Sequence, residues 1–137
     1  MREISPEELS KILDEHADWE VEERREGERA DLSNDNLINV ELSGTLLNYA
    51  SLSGANLSDA SLNYADLKGA NLSRADLGCA NLCEANLTQV KNLSINQLSK
   101  AKTLYEAKLD PELKKQVREK YPHLLKKPVE EEEEDEE

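Results

Sequence analysis

Ala55-Asn56-Leu57-Ser58-Asp59-Ala60-Ser61-Leu62-Asn63-Tyr64-Ala65-Asp66-Leu67-Lys68-Gly69-Ala70-Asn71-Leu72-Ser73-Arg74 repeats one five-residue phrase: a small residue, a polar one, leucine, and two that vary. Outward from it, leucine holds every fifth position from Leu32 to Leu87, twelve in succession, and alanine holds the place two before it from Ala50 to Ala85. Repetition on this scale outranks local propensity. In an α-helix a step of five turns each leucine by about 140° from the last, scattering the set round the cylinder. In a straight strand an odd step sends successive leucines to opposite faces. The leucines can be buried together only if every pentapeptide contains a bend. Short extended pieces then bring leucine and the small residue to a common axis, and coils stack at about 4.8 Å.

Ala55-Asn56-Leu57-Ser58-Asp59, Ala65-Asp66-Leu67-Lys68-Gly69 and Ala70-Asn71-Leu72-Ser73-Arg74 resemble the consensus of the pentapeptide repeat proteins, and the resemblance covers residues 30–89. It implies a mainly β fold, a right-handed quadrilateral β-helix with four pentapeptides to the coil and so about three coils here. The leucine and the residue two before it then face inward and the other three outward. On that geometry the first coil departs from alanine, with Ala30, Asp35, Val40 and Thr45 in the inward slots. An unpaired buried carboxylate is costly, so Asp35 must lie near the end of the tube and accept hydrogen bonds.

An open solenoid end exposes apolar side chains and unpaired backbone, so each end needs a cover. Ser5-Pro6-Glu7-Glu8 offers an N-cap, a proline at the first helical position and a capping-box glutamate. The helix predicted over 6–20 puts Leu9, Ile12, Leu13, His16 and Trp19 on one stripe, with Gly27 near the bend into the repeats. After the repeats, Ser94 to Gln97 opens a helix carrying Ile95, Leu98 and Ala101. Asp110-Pro111-Glu112 opens another with Leu113, Val117 and Tyr121, ended at Pro122. Residues 93–125 also resemble the helical trailer behind pentapeptide repeats in bacterial members. The chain thus divides into an N-terminal helical cap (1–29), the β-helix (30–89), a C-terminal helical cap (90–125) and an acidic tail (126–137), expected to be disordered through self-repulsion.

The net charge of −13 is unevenly spread. The first 29 residues carry five basic and eleven acidic groups, and the repeats two and seven. From Lys91 to Lys127 there are ten basic against four acidic groups, followed by eight consecutive acids from Glu130 to Glu137. Such a tail serves as a solubilising terminus or as an interaction segment for basic surfaces, its own helices included. Residues 1 onward show no signal-peptide pattern and no apolar run approaches a membrane span, which makes the cytoplasm the expected compartment.

Chemistry is sparse. The two histidines, His16 and His123, fall in opposite caps, and no phosphate loop, nucleophile elbow or catalytic triad is present. An enzyme is not expected, nor a cofactor or metal site. His16 and Trp19 read as packing residues, with no second ligand at metal spacing. Cys79 and Cys83 are too few for a disulfide framework or structural zinc and are the only redox candidates. Outward columns stack Asp31/Ser51/Asn71, Asn36/Asn56/Asp76, Glu41/Ser61/Asn81 and Leu46/Asp66/Asn86, so no acid sits on another. The outward apolar residues Ile38, Leu46, Tyr49 and Tyr64 form the candidate protein-binding patch, or else contact the N-terminal segment.

These features point to a non-enzymatic module for protein interaction or structure, a monomer or a weak dimer through its caps, whose partner the sequence does not name. The family resemblance also implies an alternative, DNA mimicry toward a type II topoisomerase. Length argues against it: three coils give about 14 Å, whereas one turn of B-DNA is about 34 Å. Net charge disfavours a nucleic-acid binder, while the basic stretch from Lys91 to Lys127 leaves weak contact open.

Overall fold

The computed structural model describes residues 1–21 and 29–128, with backbone alone for 18–21. The Trp19 side chain, Gly27 and the tail Glu130–Glu137 lie outside the described residues.

Parallel bridges join residues twenty apart: Asp31 to Ser51 to Asn71, Asn36 to Asn56 to Asp76, Glu41 to Ser61 to Asn81, and Leu46 to Asp66 to Asn86. Twenty residues are four pentapeptides, so each pentapeptide forms one side of a four-sided coil. The Leu32 N–H donates to the Ser51 carbonyl at 2.8 Å and the Leu52 N–H to the Asn71 carbonyl at 2.8 Å, while Ser51 donates back to Ala30 at 3.0 Å. Each of the twelve leucines at the period of five, Leu32 to Leu87, is at most 2% exposed. The alanines from Ala50 to Ala85 are buried beside them, small enough for four backbones to close round a narrow shaft.

A four-residue turn after each leucine makes the corner; the Ala55 N–H donates to the Leu52 carbonyl at 3.1 Å and Ala75 to Leu72 at 3.1 Å. The third residue of the turn is left-handed at all twelve corners, with φ from 57° at Cys79 to 71° at Gly54 and Gly69. The sequence supplies Asn, Asp or Gly at six of them, but Tyr49, Tyr64, Arg74, Cys79, Glu84 and Gln89 hold the same conformation, and no β-branched residue occurs there. At Gly69 a second constraint applies, because an added Cβ would lie 2.5 Å from the Tyr49 ring carbons Cδ1 and Cε1. Gly69→Ala is therefore expected to destabilise by about 1–3 kcal/mol through left-handed strain and overpacking. Thermal denaturation checks this: pairing the change with Tyr49→Ser should recover the steric part and leave the backbone part.

Before the repeats, β1 (Arg2–Glu3) lies parallel to β2 (Asp35–Asn36), in the register Arg2 to Asp35 and Glu3 to Asn36. One side of the first coil thus gains an extra rung from the N-terminus. The chain then turns into α1 (Pro6–Val21), where the Ser5 hydroxyl accepts the Glu8 N–H at 3.0 Å. Leu9, Ile12 and Leu13 pack against the core, as the stripe predicts. His16 is fully buried, and its Nδ1 accepts the Ala30 N–H at 3.0 Å, fastening the helix to the first repeat.

The ladder does not stop at residue 89, the end set by the leucine period. Asn71 bridges to Lys91, Asn81 to Thr103 and Asn86 to Lys108. On the remaining side α2 (Ile95–Leu98) stands in for a pentapeptide. Its Ser94–Gln97 capping box forms as expected. The Gln97 amide also donates to the carbonyls of Leu72 at 2.8 Å and Ala75 at 3.0 Å, replacing ladder partners. Ala101, expected on this helix, lies beyond it in a buried position beside the last rungs. The period fails to reveal this stretch because Asn92 takes the leucine slot and the spacing of the bridges lengthens from twenty to twenty-two at Thr103 and Lys108. α3 (Pro111–Lys120) and a 3-10 turn at Pro122–Leu125 follow, so Tyr121 ends α3 instead of riding within it. Asp110 makes no side-chain cap to α3, because its carboxylate accepts the Gln89 N–H at 3.0 and 3.1 Å. The Leu124 carbonyl accepts the Leu104 N–H at 2.8 Å, giving that edge residue a partner.

Candidate interaction surface

In nine of the twelve repeats the outward residue before the leucine has a structural task that reading the sequence did not assign to it. Its side-chain oxygen accepts the N–H two residues on, fixing the entry to the corner: Asn56 from Ser58 at 3.0 Å, Asn71 from Ser73 at 3.0 Å, Asp76 from Gly78 at 2.9 Å, Asn81 from Cys83 at 3.0 Å. Asp31, Asn36, Glu41, Asp66 and Asn86 do the same. This is the local turn chemistry of Asn and Asp, and their alternation in that slot was the available signal. Ser51, Ser61 and Leu46 make no such bond, and of the three Leu46 alone has no acceptor to offer; 48% of it is exposed.

The four residues of the candidate patch are not gathered together. Ile38 follows Leu37 on the Asn36 side, two sides round the coil from Leu46. It borders an apolar groove of about 210 Å³ with Ile4, Pro6, Leu9 and Val40, beside the N-terminal segment, and stays 45% exposed. Tyr49 is half-buried, its ring over Gly69. Tyr64 is 60% exposed, and its hydroxyl donates to Glu84 Oε2 at 3.0 Å. Ile38, Leu46 and Tyr64 are all exposed, and of these Leu46 and Tyr64 lie together on consecutive coils, at the start of one side and the corner leading into it.

Asp35 is fully buried and meets the expectation for it: Arg2 Nε donates to its Oδ1 at 2.6 Å and Nη2 to its Oδ2 at 2.8 Å. That hydrogen bond, and then the charge of Asp35, hold the Arg2 guanidinium above its usual range. Arg2 also lies 3.5 Å from Glu8. Of the two thiols, Cys79 is exposed, whereas burial, followed by the charges of Glu84 and Glu106, pushes Cys83 upward. Among the described residues no cluster suited to a metal ion occurs, and no helix is long and apolar enough to cross a membrane.

Bonds from the hydroxyl and then the N–H of Ser33 hold Asp31 below the ordinary carboxylate range, and those of Ser43 do the same for Glu41. A carboxylate depressed by folding adds stability above its unfolded value and loses it as pH falls through the folded one. The first coil is therefore expected to keep its stability down to about pH 4 and to loosen below it. Thermal midpoints across the acid range check this. Asp31→Asn with Glu41→Gln retains the acceptor oxygens and should flatten the decline.

The family model of pentapeptide repeats matches residues 28–63 and 50–89, with 8 copies. No curated protein sequence matches the chain. Among solved structures, the chain is similar to trypsin-treated QnrB1, a plasmid-mediated fluoroquinolone resistance protein, at 26% identity over 67% of this chain and 44% of that one, with a TM-score of 0.54. It therefore spans less than half of QnrB1. A pentapeptide repeat protein of the Arabidopsis thaliana thylakoid lumen is 26% identical over 65% of this chain and 71% of its own, with a TM-score of 0.41. Rfr23 of the cyanobacterium Cyanothece 51142 is 36% identical over 61% and 58%, with a TM-score of 0.25. The likeness to QnrB1 fits the ladder of residues twenty apart, and through residues 28–89 the chain belongs to the pentapeptide repeat family, a right-handed β-helix.

Proposed function

We propose that the chain is a non-enzymatic protein-interaction module, a β-helix held between helical caps that docks a protein partner along the side bearing Leu46 and Tyr64. One observation carries this reading. In the slot where the fold uses an acceptor, Leu46 provides none and exposes 48% of its surface, so the requirements of the coil do not account for it. Tyr49 is half-buried over Gly69, and Ile38, though exposed, lies two sides round the coil, so neither belongs to that surface. A pair of exposed apolar groups on a rigid scaffold suits a small hot spot within a polar rim.

Leu46→Asn discriminates sharply. Restoring the turn acceptor should raise stability by about 1 kcal/mol, while removing the apolar contact abolishes capture of the partner from cell extract. Capture that survives Leu46→Asn and Tyr64→Ser together overturns the reading.

The likeness to a fluoroquinolone resistance protein favours a second reading, a modulator of a type II topoisomerase by DNA mimicry. The far end of the ladder weighs against it, for Lys91 and Lys108 stand where a phosphate mimic needs carboxylates. A supercoiling assay with the purified topoisomerase decides between the two.

A further inference from the structure

The outward columns change sign along the axis. They read Asp31/Ser51/Asn71/Lys91 on one side and Leu46/Asp66/Asn86/Lys108 on another, and Lys102 donates its N–H to Ala80 at 2.8 Å beside the Asn81 column. On the fourth side the Lys100 carbonyl accepts the Cys79 N–H at 2.7 Å. Two columns therefore end in an exposed lysine, Lys100 and Lys102 are exposed beside the ends of the other two sides, and Lys114, Lys115, Arg118 and Lys120 on α3 are exposed as well. Lysine has no acceptor, so Lys91 and Lys108 cannot perform the corner bond that Asn and Asp make in their slots. The ion pairs among the described residues both belong to Arg2, so none engages this collar. The collar stands as a concentrated positive surface on a chain of net charge −13.

We propose that the collar of Lys91, Lys100, Lys102 and Lys108 is a site for an acidic peptide, and that its resident occupant is the chain's own Glu130–Glu137. Three facts favour this segment over a foreign polyanion. Its eight residues are all acidic, and it follows Lys126-Lys127-Pro128-Val129 in the chain. Eight residues reach as far as about 26 Å, enough to lie along one side of a short tube. Tethering supplies an effective concentration on the order of millimolar, which compensates for the weakness of exposed charge pairs. Lys108 ends the side that bears Leu46, three rungs along the axis from it, and the proposal does not depend on the reading made for Leu46.

Lysine acetylation followed by mass spectrometry tests this on the full chain. The native protein is compared with one in which Glu130–Glu134, Glu136 and Glu137 become Gln and Asp135 becomes Asn. At low salt the four collar lysines of the native chain should react about threefold more slowly than those of the neutral-tail chain, as a tether of that strength implies. Lys11 on α1 serves as the unaffected reference. At about 0.5 M NaCl the difference should vanish. Equal rates in the two proteins at low salt overturn the proposal. Protection that grows with protein concentration also overturns it, since the acidic segment would then come from a second copy.

Discussion

Leu57→Ala is expected to cost about 3–5 kcal/mol, the upper part of the range for emptying a buried leucine. Leu57 is fully buried in the middle of the shaft, with Leu37 one coil before it and Leu77 one coil after. The cost of such a truncation depends on how far the neighbours collapse into the space. Here collapse is opposed on every side. The partner slot in the same pentapeptide is Ala55, too short to reach in, and the Leu57 backbone is pinned to the Asp76 carbonyl at 2.8 Å. Moving the side inward would break a rung on each adjacent coil. Leu57→Met, which preserves volume, should cost less than about 1.5 kcal/mol. Urea titration followed by circular dichroism measures both. Because coils stabilise one another chiefly as neighbours, the truncated protein should also show whether the transition stays single or splits at the weakened coil. A cost below about 1 kcal/mol for Leu57→Ala would show that the shaft is not packed to the density of a protein interior.

What could be read from the sequence follows from which forces leave a periodic trace. Burial does: each inward slot demands leucine or alanine, so the period of five and a bend in every pentapeptide were legible, while the four-sided coil and the inward position of Asp35 were what the family resemblance implied. The corner residues were legible only in part, since Tyr49, Tyr64 and Glu84 do not advertise a left-handed backbone as Gly44 or Asn34 do. The rungs after residue 89 were hidden because their partners are not repeats. A helix replaces one side, the Gln97 amide replaces a backbone donor and the Asp110 carboxylate a backbone acceptor, and the spacing shifts by two residues. The apolar outward residues were visible as exceptions to polarity. Their separation was not, because it depends on how the sides of the coil are placed: Ile38 lies beside Ile4 and Leu9, two sides round from Leu46. Likewise Asp35 announced that it needed a donor, yet nothing local pointed to Arg2, thirty-three residues away.

That pairing leads to the second large effect, and its signature is asymmetry. In Arg2→Ala the carboxylate of Asp35 remains in a fully buried slot without its counter-ion, and a buried ion stripped of its partner costs about 3–5 kcal/mol. Asp35→Ala does the reverse. It places alanine where Ala55 and Ala75 already stand in the next two coils, and it leaves behind an arginine whose side chain is 51% exposed and can turn to water and to Glu8. Replacing a buried charge by a fitting apolar group is often neutral. Asp35→Ala should therefore cost little, and Arg2→Ala combined with Asp35→Ala should be close to Asp35→Ala alone. The double-mutant cycle, read by thermal denaturation, then gives a coupling nearly as large as the Arg2→Ala loss itself. Arg2→Lys should recover only part of that loss, because an ammonium cannot reproduce the two parallel bonds that the guanidinium makes at 2.6 and 2.8 Å. Equal costs for the two single changes would mean that the pair contributes through attraction alone. The asymmetric outcome would mean that Asp35 is a conditional element of the fold, stable in its slot only while β1 is seated, so that seating of the N-terminal strand and closure of the first coil occur as one event.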